Sequence, residues 1–264
     1  MNDLTNKLTN KSIVMAVRIL DELAADGHEL GVTELATRLG EQKGRVHRHL
    51  ATLRENGMVS QSEAGERYRL GWKLLKLGIA ADANLDLRVL AKRHIFNLRE
   101  STEQTVVLAV PAGINALTID CLPSESPVAV VIKKGVLFRS NTSSLARVLL
   151  AFANEDLQAE FMVAPTYRHT EFSLVDPTLL KSRLKLVRDR FFEIAVNEDI
   201  YGVAAISAPI FGQNNAIAGA VGIVGSQFYI SEDPAFEMVS KVQHTAASIS
   251  SDLNSSAWSD WRTR

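Results

Sequence analysis

The fold of the N-terminal part follows from residues 33–70, TELATRLGEQKGRVHRHLATLRENGMVSQSEAGERYRL. Thr33 can cap a short helix, and Gly40 fits the left-handed residue that commonly follows a helix end. After a brief turn, an amphipathic helix is predicted over about Lys43–Glu55, because three apolar residues recur at helical spacing: Val46, Leu50 and Leu53. Two helices joined by so short a turn are typical of a helix-turn-helix unit.

Elements on both sides complete this unit. Residues 12–25 place apolar side chains at helical spacing, which predicts a preceding amphipathic helix. Residues 58–61 and 67–70 are predicted to form two short strands, with Gly65 in the tight turn between them. The order helix, helix, turn, helix, hairpin is that of a winged helix-turn-helix domain, which we expect over residues 11–72.

The charge distribution agrees with this assignment. The formal net charge of the whole chain is -1, which alone argues against a nucleic-acid-binding protein. The segment from Arg38 to Lys73, however, contains eight Lys or Arg residues and four acidic residues, which gives it a net charge of +4. The rest of the chain therefore carries a net charge of -5. A basic module on an acidic body suits a protein that binds one polyanion at one end.

The predicted third helix carries groups that can reach base edges and phosphates in the major groove. Its glycine also allows the backbone to approach a phosphate closely. The plain alternative, a solvated basic face, is disfavoured because this helix is third in a three-helix unit and precedes a hairpin with two more arginines. The predicted DNA-binding residues are Lys43, Gly44, Arg45, His47, Arg48, His49 and Arg54 in the helix, and Arg67 and Arg69 in the hairpin.

The rest of the chain has a different pattern. Residues 73–102 are predicted to form two linker helices, the second capped by Asn84 or Asp86. Residues 103–254 alternate short strands and helices, with strands at 105–110, 116–121, 128–132, 194–196, 204–211 and 216–224. This pattern predicts an α+β domain with a mainly antiparallel sheet.

Composition and motifs exclude several classes of protein. Cys121 is the single cysteine, so no intrachain disulfide can form, and no apolar run approaches a membrane span; we expect a cytoplasmic protein without membrane contact. The six histidines form no metal-binding spacing, and no nucleotide-binding or nucleophile-elbow motif is present. We therefore expect no metal, cofactor or catalytic residue. Glu198 and Asp199 are expected in a solvent-facing loop rather than as a catalytic acid pair.

The sequence resembles the IclR family of bacterial transcriptional regulators over about residues 11–253. The resemblance rests on VHR at 46–48, LATL at 50–53, NGMV at 56–59, YRLG at 68–71, LDLR at 85–88, LLAF at 149–152, YGV at 201–203 and ISAPIF at 206–211. It implies a homodimer or a dimer of dimers, formed largely by the N-terminal domains and linker helices, on a palindromic operator in double-stranded DNA. It also implies a GAF-like effector-binding domain at the C-terminus. Gly44, Arg45 and His49 depart from the common pattern, which suggests an operator sequence of its own.

In similar proteins the effector lies between the sheet and the helix after the third strand. Carried over residue by residue, the candidate effector-binding residues are Arg139, Asn141, Ser143, Ser144, Leu145, Ala195, Ala205, Gly222 and Val224. Capping of the helix is an equal alternative role for the two serines, and for Arg139 a solvent-exposed role is favoured over ligand contact.

Four of these candidates are small or apolar where relatives that bind small carboxylates have an acidic residue, Cys or Ser: Ala195, Ala205, Gly222 and Val224. A site without those polar groups would leave a glyoxylate-sized acid unpaired. We therefore expect a larger, aromatic or extended organic acid, with Arg139 available to its carboxylate, and a repressor of catabolic genes. An enzyme that acts on a small organic ligand, with the N-terminal module serving oligomerisation, stays open as the alternative.

Overall fold

The computed structural model describes residues 10–26, 28–62, 67–81, 85–127 and 129–263. The chain forms two compact units that divide between residues 83 and 84. The first contains α1 (Lys11–Asp26), β1 (Leu30–Gly31), α2 (Val32–Leu39), α3 (Lys43–Glu55), β2 (Val59–Gln61), β3 (Arg67–Leu70) and α4 (Trp72–Ala81). Its three strands pair in the order β1-β3-β2.

The core of this first unit is formed by the apolar residues that recur at helical spacing in the sequence, as predicted. Ile19 of α1, Leu35 of α2 and Leu50 of α3 are fully buried, and Tyr68 of β3 closes the core from the sheet side. Because each helix has a single apolar stripe, the three helices pack around one small core and leave their polar faces outside. The predicted winged helix-turn-helix is therefore confirmed.

Two details at the start of α2 differ from expectation. Thr33 does not cap this helix, since α2 begins at Val32 with Gly31 in the cap position and without a side-chain cap. The reason is β1, which the sequence did not reveal: Leu30 and Gly31 pair with β3, so an extended chain runs directly into the helix. Gly40 adopts the expected left-handed conformation with φ 65°. Gly65 and Asn84 lie outside the described residues.

The second unit is built on one antiparallel sheet of six strands in the order β6-β5-β4-β9-β8-β7. Its elements are α5 (Leu85–Thr102), β4 (Thr105–Ala112), β5 (Asn115–Leu122), β6 (Leu137–Phe138), α6 (Ser144–Ala151), α7 (Glu155–Val163), α8 (Pro177–Arg190), β7 (Glu193–Val196), β8 (Val203–Phe211), β9 (Ile217–Ser226), α9 (Phe236–Asp252) and α10 (Ala257–Arg262). The predicted α+β class is confirmed. The domain limits 11–72, 73–102 and 103–254 remain a prediction.

The sheet is covered by helices on both faces. Successive residues of a strand point to opposite faces, so Val106 and Leu108 of β4 join one core, with α5 and α9, while Val107 and Ala109 join the other, with α6 and α8. The second core contains the cavity described below. None of the helices among the described residues is long and apolar enough to cross a membrane.

The strand predicted at 128–132 is wrong. Residues 129–132 have no strand structure, and the sheet ends instead on β6, which pairs with β5 through Ala116 and Leu117. The segment is anchored by a side chain rather than by a ladder, since the Thr105 hydroxyl donates to the Val130 carbonyl at 2.7 Å. Its apolar residues belong to the wall of the cavity, which explains a strand-like sequence without strand structure.

Candidate nucleic-acid interface and ligand cavity

Helix α3 has one buried apolar face and one polar face. Val46, Leu50 and Leu53 are buried, while the predicted DNA-binding residues of the helix lie on the other side. The exposed ones are Lys43, Gly44, His47, Arg48 and Arg54, and the half-buried ones are Arg45 and His49. The first turns of this helix therefore present an exposed basic surface.

Several of these cations are held by neighbouring groups. Arg45 Nη1 lies 3.0 Å from Glu41 Oε2, and the Arg54 guanidinium donates to the side-chain oxygen of Gln61. In the hairpin, Arg67 and Arg69 share the exposed face of β3, opposite buried Tyr68. Their partners are given by three contacts: Arg67 Nη1 to Glu29 O at 2.7 Å, Arg69 Nε to Ser60 Oγ at 3.1 Å and Arg69 Nη1 to Glu29 Oε1 at 3.5 Å.

The second unit contains a cavity of about 140 Å³ between α6 and the sheet. Its walls come from the segment before β6, the first turn of α6, the strands β7, β8 and β9, and the loop after β7. The lining residues are Val130, Val131, Ile132, Phe138, Thr142, Ser143, Ser144, Leu145, Ala195, Glu198, Asp199, Ile200, Val203, Ala204, Ala205 and Val224. Most of these side chains are apolar, and none of the described lining residues is Lys, Arg or His.

Six of the nine predicted effector-binding residues line this cavity: Ser143, Ser144, Leu145, Ala195, Ala205 and Val224. The sheet register explains why three of them meet. Ala195 pairs with Ala205, and Ala205 pairs with Val224, so these side chains form one row across three strands on the face that α6 covers. The small side chains of that row leave the space that the cavity occupies.

The other three predicted residues are not among the described residues that line the cavity. The guanidinium carbon of Arg139 lies 3.5 Å from the centroid of the exposed Tyr167 ring. The buried Asn141 amide donates to two backbone carbonyls, those of Tyr167 at 2.7 Å and Leu174 at 3.2 Å. Both side chains therefore fix the loop between α7 and α8, and neither faces the cavity.

Gly222 lies in the next row of the sheet, opposite Ser207. The hydroxyl of Ser207 needs the space above this glycine, because it lies 2.8 Å from the hydroxyl of Ser144. A Cβ at position 222 would come within 2.4 Å of Ser207 Oγ and 2.7 Å of the Ile206 carbonyl oxygen. Gly222 thus supports the start of α6 through Ser207.

We expect Gly222→Ser to lower the free energy of unfolding by about 1–3 kcal/mol, since the new side chain overpacks a filled site. Urea unfolding followed by tryptophan fluorescence measures the change. Gly212→Ala is the matched control, because a Cβ there meets Ala218 at an ordinary 3.4 Å. Equal stability of the two variants would contradict the role assigned to Gly222.

Sequence reasoning missed the most strongly charged feature of the core. Arg147 of α6 is completely buried and uses all five of its N–H groups. Their acceptors are Glu193 Oε1 at 2.9 Å, Glu198 Oε2 and Oε1 at 2.6 and 2.9 Å, and the carbonyls of Asn141 and Ile194 at 3.3 Å each. Arg147 therefore joins α6 to β7 and to the loop that follows β7.

The two acidic partners of Arg147 are also buried. Glu193 is fully buried and additionally accepts from Arg183 and Arg190. Burial raises the pKa of Glu198, and the adjacent guanidinium of Arg147 opposes that rise. The expectation that Glu198 faces solvent is wrong, because its carboxylate is the partner of Arg147. A signal existed in SSLARVLLAF, where an arginine in an otherwise apolar helix requires a buried acid.

The surroundings of Cys121 are those of a structural residue rather than of a catalytic nucleophile. Cys121 is half-buried in β5, and burial raises the pKa of its thiol, which keeps it protonated and weakly nucleophilic. Within the described residues, no group of three or more His, Cys, Asp or Glu side chains is arranged to hold a metal ion.

Profiles of two IclR domains match successive parts of the chain. The profile of the IclR helix-turn-helix domain matches residues 12–63, and that of the bacterial transcriptional regulator IclR C-terminal domain matches residues 80–251. The Glycerol operon regulatory protein of Streptomyces coelicolor is 29% identical over 245 residues, which cover 92% of this chain and 96% of that protein. The probable HTH-type transcriptional regulator ArcR of Halobacterium salinarum is 30% identical over 220 residues, which cover 80% and 81%.

Solved structures show the same fold. The IclR transcriptional regulator of Alicyclobacillus acidocaldarius superposes with a TM-score of 0.72 at 24% identity, covering 95% of this chain and 99% of that one. An IclR homologue of Microbacterium hydrocarbonoxydans, solved in complex with 4-hydroxybenzoate, superposes with a TM-score of 0.77 at 20% identity, covering 92% and 99%. The named relatives are transcriptional regulators and not enzymes, which confirms the prediction that this protein is not an enzyme. With both domain profiles matched in order and the fold shared, the chain belongs to the IclR family of ligand-responsive transcriptional regulators.

Proposed function

We propose that this protein is a cytoplasmic repressor of catabolic genes that binds a palindromic operator and senses a small aromatic or extended organic acid. The observation that carries the DNA-binding part is the face of α3, where Lys43, Gly44, His47 and Arg48 are exposed together on the first two turns. In helix-turn-helix proteins the N-terminal residues of this helix contact base edges, and basic side chains near them contact phosphates.

A homodimer or a dimer of dimers is the proposed assembly. The first unit exposes large apolar side chains on α1, with Ile13 and Val17, and on α4, with Trp72 and Leu75. Apolar side chains of this size on a helix surface favour association with another chain. Two-fold assembly also places two recognition helices on two half-sites, which multiplies the modest discrimination of one helix.

The cavity is the proposed effector site. Its volume is close to the roughly 150 Å³ of an engineered apolar cavity that accepts benzene. The first turn of α6 borders it, and backbone N–H groups at a helix N-terminus lack helical acceptors and bind anions such as a carboxylate. The complex of the Microbacterium homologue with 4-hydroxybenzoate supports an aromatic acid as the type of ligand. We assign the carboxylate to these backbone groups rather than to Arg139, which is not among the lining residues.

The experiment that tests the DNA-binding function is a fluorescence-anisotropy titration of the full-length protein against DNA from upstream of its own gene, at several salt concentrations. We expect specific binding whose affinity falls linearly with salt on a double-logarithmic plot, because bound phosphates release counterions. A scrambled sequence of equal length is the control. Failure to distinguish the two sequences at every salt concentration would overturn the proposal.

Ligand binding provides a second prediction. Benzoate-sized aromatic acids are expected to raise the melting temperature of the second unit, whereas glyoxylate and pyruvate are expected to leave it unchanged. At a hundredfold excess over the dissociation constant, the stabilisation is about 2.7 kcal/mol. The physical reason is that the apolar row Ala195, Ala205 and Val224 leaves a small polar acid unpaired. A thermal shift with glyoxylate and none with the aromatic acids would refute this interpretation of the cavity.

Gly44 leads to a prediction in which stability and DNA affinity move in opposite directions. A Cβ at this position would meet nothing within 4 Å, so Gly44→Ala is expected to stabilise α3 by up to about 1 kcal/mol. We expect the bare backbone to approach a DNA phosphate here, so the same methyl group should lower operator affinity. Gly78→Ala in α4 is the matched control, since Gly78 is also helical, exposed and unobstructed. Unchanged operator affinity of Gly44→Ala would show that the backbone at this position stays clear of DNA.

A further inference from the structure

The loop after β7 forms one side of the mouth of the cavity. Ile200 and Val131 both line the cavity and are 58% and 69% exposed, so the opening to solvent lies beside them. Asp199 precedes Ile200, also lines the cavity and is half-buried. A carboxylate therefore stands at the entrance of an otherwise largely apolar space.

The structure holds this loop from both sides. The Glu198 carboxylate is bound by both terminal nitrogens of Arg147, and the Glu198 carbonyl accepts the Ser173 hydroxyl at 2.6 Å. The Thr170 hydroxyl also donates to a carbonyl of this segment, that of Asn197. With its side chain and backbone fixed, Glu198 sets the direction in which the next residue faces.

Asp199 has a carboxylate oxygen that can still accept a hydrogen bond, whereas Glu198 has none. Its Oδ1 lies 2.6 Å from His169 Nδ1, and among the described residues no contact engages its Oδ2. Glu198, by contrast, has both oxygens committed to Arg147. Among the described lining residues, Asp199 is thus the carboxylate with an acceptor available to a molecule in the cavity.

We propose that Asp199 is a specificity-determining residue, which accepts a hydrogen bond from a hydroxyl or ammonium group at the end of the ligand nearest the mouth. The proposal rests on the proposed function of the cavity as the effector site and narrows the effector to an acid that carries a second, donor group. The α6 backbone takes the carboxylate, the apolar row takes the body of the molecule, and Asp199 takes the donor.

The site should discriminate between ligands because a ligand without a donor group leaves the charged Asp199 acceptor without a hydrogen bond. An aromatic acid without a donor would displace water from the Asp199 carboxylate without replacing the hydrogen bond that the water made. A site built to bind a donor group rejects an analogue that lacks it, and a hydrogen bond to a charged partner corresponds to a difference of about ten- to a hundredfold in affinity. His169 holds the other oxygen, so the carboxylate need not reorient to bind.

The test is calorimetric titration of the full-length protein with a matched set of probes: benzoate, 3-hydroxybenzoate, 4-hydroxybenzoate and 4-(aminomethyl)benzoate. We expect at least one donor-bearing probe to bind ten times or more tightly than benzoate. Asp199→Ala is expected to abolish that preference. Asp199→Asn retains a neutral acceptor, so it should keep part of the preference for a hydroxyl and lose the preference for the ammonium group.

His169→Ala is the comparison variant: the carboxylate stays but loses the contact that fixes its Oδ1, so the preference should persist at a reduced ratio. Equal affinity of wild-type protein for benzoate and the donor-bearing probes, absence of binding by every probe, or a preference that survives Asp199→Ala would each overturn the proposal. Operator binding without ligand, measured on wild type and Asp199→Ala, separates the two failures. If DNA binding is absent, the regulatory function fails, while the calorimetric comparison still decides the role of Asp199.

Discussion

Replacing Arg147 by methionine is expected to lower the free energy of unfolding of the second unit by about 3–5 kcal/mol, the usual cost of leaving a buried charge without its partner. The substitution removes five hydrogen bonds and leaves the carboxylates of Glu193 and Glu198 buried. Urea unfolding followed by tryptophan fluorescence gives the change, with Trp258 and Trp261 reporting on this unit.

Two further variants make the Arg147 prediction specific. Arg183→Met removes another partner of Glu193, but Arg183 is partly exposed, so its loss should cost clearly less. In Arg147→Met, Glu193 keeps Arg183 and Arg190 as partners, whereas Glu198 loses both of its hydrogen bonds from Arg147. Adding Glu198→Gln removes that uncompensated charge and should recover part of the lost stability. A cost no greater than that of Arg183→Met would contradict the central position given to Arg147.

The second large effect concerns Arg45 in α3. Arg45→Ala is expected to weaken specific operator binding by roughly 2–6 kcal/mol, since a base contact is worth about 1–3 kcal/mol at each of two half-sites. Binding to non-specific DNA should fall much less. Anisotropy titrations with operator and scrambled DNA at one salt concentration measure both quantities.

Arg38 in α2 offers a close control for Arg45. Each arginine pairs with a glutamate four residues earlier, Arg38 with Glu34 at 2.8 Å and Arg45 with Glu41 at 3.0 Å. Arg38→Ala therefore removes the same charge and the same kind of ion pair, but from the helix that does not enter the groove. Equal loss of specific and non-specific binding in Arg45→Ala would make Arg45 a phosphate contact.

The first unit could be predicted closely from the sequence because its signals are local. A single apolar stripe, as in Val46, Leu50 and Leu53, fixes both the helix and its buried face within a few turns. The two-residue strand β1 could not be predicted, because Leu30 and Gly31 become a strand only through pairing with β3, some 37 residues later in the sequence.

The cavity was predictable in part, for a related reason. Ala195, Ala205 and Val224 fall in one row because strand register is regular, so positions carried over from the family meet as expected. Gly222 and Asn141 did not meet the cavity, since Ser207 occupies the space above one and two carbonyls engage the other. Contacts of this kind depend on side chains distant in sequence and leave no periodic pattern.

The arginines around β7 have a consequence for how copies of this protein can associate. A sheet ends in edge strands whose free backbone groups invite another strand to add, and natural proteins block such edges with short strands and charges. Here one edge is the two-residue β6, and at the other the carbonyl of Ile194 is already taken by Arg183 and Arg147. Strand addition at that position would have to displace two charged donors. The short β6 and the occupied Ile194 carbonyl therefore disfavour edge-to-edge association of two sheets.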